Sequence, residues 1–188
     1  MEIENQLKEC FKVAKKQEEK GMKHKGLLII QSDKEESKKY IEKAKQELKL
    51  CEIYKNGGFD YKLPEEWFYI LYYCGLAILS KTGIESRSQK YTALLLEYLK
   101  SENLIDYDEK FIQMIKVYSK KEEESEVDKR EFARYSSAIK IKQVEERYED
   151  MTNNCKQAIS QTEEIIYSKE KIIIPKELLY KKLKQKSK

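Results

Sequence analysis

Between Pro64 and Lys81 lies the feature that most limits what this chain can fold into. The run Trp67-Phe68-Tyr69-Ile70-Leu71-Tyr72-Tyr73-Cys74-Gly75-Leu76-Ala77-Ile78-Leu79 is apolar almost without interruption. Pro64 suits the first turn of a helix, where no intrahelical amide bond is lost, and Glu65 and Glu66 suit the positive end of the helix dipole. A helix starting there is apolar nearly all round, so it must be buried on most sides. It is also too short to cross a bilayer. The rest of the chain therefore has to wrap it.

The flanking segments read as the wrapping helices. Only six Gly and two Pro occur in 188 residues, while Lys, Glu, Ile, Leu and Tyr dominate, so turns are few, helices are long, and an all-α class follows. Ile3, Leu7, Cys10, Phe11 and Ala14 predict an amphipathic helix from Glu2 to about Glu19. Ser37, Ile41, Ala44, Leu48 and Cys51 predict another from Lys34 to about Tyr54, opened by Ser32-Asp33 and ended by Asn56-Gly57-Gly58. Gly83 closes the central helix. Tyr91, Leu94, Leu95, Tyr98 and Leu99 mark a helix from Ser88 to about Lys100, and Phe111, Met114, Ile115 and Tyr118 mark one from near Asp108.

The cleanest period is Ile141, Val144, Tyr148, Met151, Cys155, Ala158, Thr162 and Ile165, a long helix with a narrow seam. Extended backwards, the period reaches Ser137, Arg134 and Arg130, which would face inward on an unbroken rod. The two β-prone runs, Leu27 to Ile30 and Ile172 to Ile174, are expected to pair as a small ribbon, and Lys176 to Lys184 reads as a short basic helix.

Charge and motifs narrow the function. The 38 basic and 34 acidic side chains leave a net charge of +4, too mild to imply nucleic acid by itself, and the Lys/Glu-rich surface is of the kind seen in thermophile proteins. Cys10, Cys51, Cys74 and Cys155 are widely spaced and read as free thiols in a reducing cytoplasm, with no metal spacing. The polar, acidic N-terminus does not read as a signal peptide. No P-loop, GxGxxG or GxSxG is present, so no cofactor is expected. The single histidine, His24, stands between Lys23 and Lys25 and reads as a surface imidazole; no carboxylate pair in an apolar setting is expected.

Two stretches resemble a known family. Glu65-Glu66-Trp67 through Leu79, running into Gly83-Ile84-Glu85-Ser86-Arg87-Ser88-Gln89-Lys90, and Arg130-Glu131-Phe132-Ala133-Arg134-Tyr135, are similar to HEPN domains. The Tyr40-Ile41-Glu42-Lys43-Ala44 segment matches the family's opening helix, and the resemblance covers residues 34–168. It implies an up-and-down bundle of four to five main helices, to which this chain adds an N-terminal helix and connector (1–33) and a basic C-terminal extension (169–188). It also implies a homodimer, often paired with a nucleotidyltransferase in a toxin–antitoxin-like system. Active members cut RNA without metal, using an arginine and a histidine on one helix.

Here no histidine follows Arg130 or Arg134, and Gln89 stands where a histidine is common, so the proton-moving group is missing and the chain reads as catalytically degenerate. Guanidinium forks still hold phosphate. The expected phosphate- or RNA-binding set is Arg87, Lys90, Arg130, Arg134 and Tyr135. Two other readings stay open: a metal-independent endoribonuclease, and a structural assembly protein that dimerises through the Ile141–Ile165 seam. In all three the chain is expected in the cytoplasm, off the membrane.

Overall fold

The computed structural model describes residues 2–123, 141–176 and 178. The chain order is α1 (Glu2–Glu19), β1 (Leu27–Ile29), α2 (Lys34–Asn56), a 3₁₀ turn (Asp60–Lys62), α3 (Leu63–Thr82), β2 (Ile84–Ser86), α4 (Gln89–Ser101), α5 (Glu109–Glu123) and α6 (Ile141–Tyr167). The all-α expectation holds apart from the short two-stranded ribbon. Among the described residues no helix is long and apolar enough to cross a membrane.

α3 is the hub. Thirteen of its 20 residues are buried, and α2, α4, α5 and α6 all pack against it. Its start and end follow local chemistry: Pro64 lies in the first turn, and Gly83 ends the helix in the left-handed region at φ 80°. α2 begins at Asp33, whose carboxylate accepts from Glu36 N at 2.9 Å. Ser80 Oγ donates to Asp33 O at 3.1 Å, pinning the end of α3 to the start of α2.

α1 buries Leu7, Cys10, Phe11 and Ala14, and these residues face α4 and β1. α4 starts at Ser88, whose hydroxyl accepts from Tyr91 N. One continuous apolar core runs from Leu7 of α1 to Ile166 of α6 and on to Leu178.

Two expectations are corrected. β1 pairs antiparallel with β2, Leu28 opposite Glu85, and not with Ile172–Ile174. The left-handed turn at Gly83 sends the chain straight back beside β1, where Ile30 N donates to Gly83 O at 2.9 Å. Ile172–Ile174 forms no strand; Ile174 is buried and Ile173 exposed.

The α6 seam is also already occupied. Val144, Met151, Cys155, Ala158, Thr162 and Ile165 are buried, and α6 packs on α3 and α2 of the same chain. A three-four stripe needs an apolar partner, and α3 supplies it from within, so the seam gives no argument for a dimer. Whether the helix continues back to Arg130 lies outside the described residues, as does the expected basic helix beyond Leu178.

Candidate functional site

The connector after α3 concentrates polar chemistry. Ser86 Oγ and Thr92 Oγ1 are 2.7 Å apart, and Ser88 caps α4, so the approach to that helix is held by hydroxyls. Arg87 N donates to Gly26 O at 3.0 Å, which carries the ladder past β2 and fixes the arginine backbone. Its side chain is exposed, with Nε donating to Glu85 Oε1 at 2.5 Å. The terminal guanidinium nitrogens have no partner among the described residues. Lys90 follows in the first turn of α4, where helix amides and dipole both favour an anion.

His24 is not the surface imidazole the sequence suggests. It is 1% exposed, and its Nε2 lies 3.5 Å from Glu85 Oε1, the oxygen that also holds Arg87. Neither ring nitrogen makes a hydrogen bond among the described residues. The loop is drawn inward by its neighbours: Leu27 N donates to Cys10 Sγ at 3.3 Å and Lys25 N to Gln17 Oε1 at 3.0 Å. Gly26 permits this approach, since a Cβ there would sit 2.6 Å from Cys10 Sγ. His24, Glu85 and Arg87 thus form one line from the interior to the surface.

Tyr40 of α2 completes the cluster. Its hydroxyl is held above its ordinary pKa by burial first and then by Glu36 and Glu85, while Arg87 acts the other way. Tyr40, Glu85 and Ser86 line a groove of about 240 Å³ with Leu76, Ser80 and Ile84. From there an aromatic ladder descends between α2 and α3, Tyr40 stacked on Tyr73 at 6.3 Å and Tyr73 on Tyr69 at 6.0 Å. Lys43 Nζ lies 5.6 Å from the centroids of both Tyr40 and Tyr73.

At the far end of the ladder stands a carboxylate pair, contrary to expectation. Glu66, buried in the first turn of α3, is hydrogen-bonded to Glu47 of α2. Burial, then the hydrogen bond and charge of Glu47, push the Glu66 carboxyl up to about 7; Glu65 adds to this and Lys62 opposes it. α2 and α3 bring together two glutamates that stand far apart in sequence.

The chain matches no protein-family model, and no curated protein or solved structure matches it.

Of the five expected site residues, Arg87 and Lys90 fall at one helix start, while Arg130, Arg134 and Tyr135 lie outside the described residues. Sequence reasoning missed Tyr40, Glu85 and His24. The spacing Glu85-x-Arg87, which begins on β2 and ends one residue past it, was the available signal, because extended backbone sets both side chains on one face. Among the described residues no group of three His, Cys, Asp or Glu side chains is placed to hold a metal ion. What the arrangement can do is hold an anion: one oriented guanidinium, with a lysine and the positive end of the α4 dipole beside it.

Proposed function

We propose that the chain is a HEPN-like helical module that binds RNA or a nucleotide through the Arg87 edge, acts as a homodimer, pairs with a nucleotidyltransferase in a toxin–antitoxin-like system, and is catalytically degenerate. The observation that carries the binding part is the Arg87 guanidinium, oriented by Glu85 through Nε with its terminal nitrogens unengaged, at the start of α4. That fork matches two phosphate oxygens. The groove beside it carries one half-buried tyrosine, Tyr40, as a ring for a base to stack against.

Burial of the histidine supports the degenerate part of this reading. A general acid or base must touch the proton it moves, and His24, the chain's one imidazole, is almost wholly enclosed. Its role is to back Glu85 as a positioning residue.

Fluorescence anisotropy of a labelled single-stranded RNA across a salt series tests the reading. Binding should weaken with salt, and Arg87→Ala should reduce affinity and flatten the slope by about one. Salt-independent binding, or an unchanged slope in Arg87→Ala, refutes it. Arg130→Ala and Arg134→Ala in the same assay test the other half of the expected set.

A further inference from the structure

We propose that a second groove, between β1, the end of α3 and the segment after α6, binds an acyl-chain anion: an aliphatic body ending in a carboxylate or phosphate. The groove has a volume of about 730 Å³, within the size range of small-ligand sites. It shares Ile30 and Ile84 with the smaller groove but none of that groove's charged residues.

Its walls are aliphatic. Ile29, Ile30, Ile84, Ile172, Ile173 and Ile174 line it. Ile29 is 50% exposed, Ile173 70% and the adjoining Tyr167 48%, so a substantial apolar surface stays open to water here.

Every charged side chain on the lining is a lysine: Lys34, Lys81, Lys169 and Lys171. Lys81 Nζ is engaged, donating to Ile166 O at 3.3 Å and Ser168 O at 2.9 Å, where it neutralises the carbonyl end of α6. Lys34 lies over the Tyr167 ring at 5.9 Å. Lys34, Lys169 and Lys171 have no carboxylate partner among the described residues, so the groove pairs an apolar floor with uncompensated positive charge.

The hydroxyls decide which anion fits. Ser32 Oγ donates to Lys81 O and Thr82 Oγ1 to Leu79 O, both at 2.7 Å, and Ser168 Oγ accepts from Glu170 N at 3.1 Å. Of the four hydroxyls on the lining only that of Tyr167, half-exposed, makes no hydrogen bond among the described residues, so most of a nucleobase's polar edge would go unpaired against the isoleucines, which is costly in an apolar setting. An acyl chain asks for no such partner. The chain's own terminal stretch, Lys181-Lys182-Leu183-Lys184-Gln185-Lys186-Ser187-Lys188, has the same sign as the groove and is electrostatically a poor occupant.

Calorimetric titration of the full chain tests this with decanoate and decyl phosphate, each below its micelle concentration, beside decanol, AMP and phosphatidylglycerol vesicles. Both free anions should bind and raise the melting temperature, with decanol at least about tenfold weaker. Decanoate alone or decyl phosphate alone would assign the headgroup and still support the groove.

Lys34→Glu combined with Lys171→Glu should weaken binding by about tenfold or more, as should Ile173→Asp. Ile173 is so exposed that its change leaves folding intact should the double variant fail. Lys49→Glu, on the exposed face of α2, should change nothing. Equal binding of decanol, binding of AMP or vesicles without the free anions, no binding at all, or equal weakening by Lys49→Glu each overturns the proposal. None of these outcomes depends on the RNA titration, which reads Arg87.

Discussion

Replacing Glu66 with Gln should stabilise the fold at pH 8 and leave it nearly unchanged at pH 5. In the unfolded chain this carboxyl titrates near 4.5; in the fold, burial and Glu47 raise it to about 7. The folded protein therefore holds a proton that the unfolded chain has released across that window. Stability from this group is full below pH 4.5, falls as pH rises towards 7, and is flat above.

At full burial the shift would correspond to about 3 kcal/mol. Solvent reaching the carboxyl edge, and Lys62 nearby, cut this to about 1–2 kcal/mol. The positive end of the α3 dipole favours the charged form by only about 0.3–1 kcal/mol, too little to reverse the sign. Gln keeps the shape and donates an amide hydrogen to Glu47 at every pH, so the variant should lose the slope that wild type shows between pH 5 and 8. For a chain of this size the gain at pH 8 is a melting-temperature rise of about 2–8 °C. Scanning calorimetry at both pH values measures it. Parallel pH profiles for the two proteins, or a gain at pH 5 equal to that at pH 8, would refute the reasoning.

Gly83→Ala should destabilise by about 1–3 kcal/mol, because a Cβ is strained at φ 80° and would sit 3.0 Å from Ile30 O, prising β1 from the turn; urea denaturation checks it, and a loss below half a kcal/mol by this measure would show that the turn relaxes freely. The four cysteines should resist Ellman's reagent in the native protein at pH 8 and react together on unfolding. All are buried, and burial pushes Cys10 up to about 11, Cys51 and Cys74 up to about 12, and Cys155 higher still. A rapidly labelled native thiol would contradict the packing of the helix that carries it, α1, α2, α3 or α6.

What the sequence disclosed was local. The stripes of α1, α2, α4 and α6, the Asp33 and Ser88 caps and the Gly83 stop each depend on residues within a turn or two, and each stands where the pattern puts it. What it concealed was long-range. Leu27–Ile30 has equal intrinsic reason to pair with either β-prone partner, and the choice falls to the turn angle at Gly83. His24 sits between two exposed lysines, yet the Gly26 approach to Cys10 carries it inside. The Glu47–Glu66 contact follows only from the register of α2 against α3. The α6 seam had the right period for another subunit or for its own chain, and no period distinguishes these.

The same logic explains where chemistry gathers. A helix apolar nearly all round, as α3 is, leaves its own middle no room for polar function, so polar groups collect where it begins and ends. At its start stand Glu66 and, across from it, Glu47; at its end Ser80, Gly83 and the ribbon support both grooves. The tyrosines between these ends are only half-buried, and their rings bridge apolar core to charged surface. The Glu85-bearing groove and the lysine-lined groove consequently meet at one short ribbon, where both are lined by Ile30 and Ile84. A change that loosens the ribbon, as at Gly83, should therefore reach both grooves, whereas Glu66→Gln, at the opposite end of α3, should alter stability and leave both untouched.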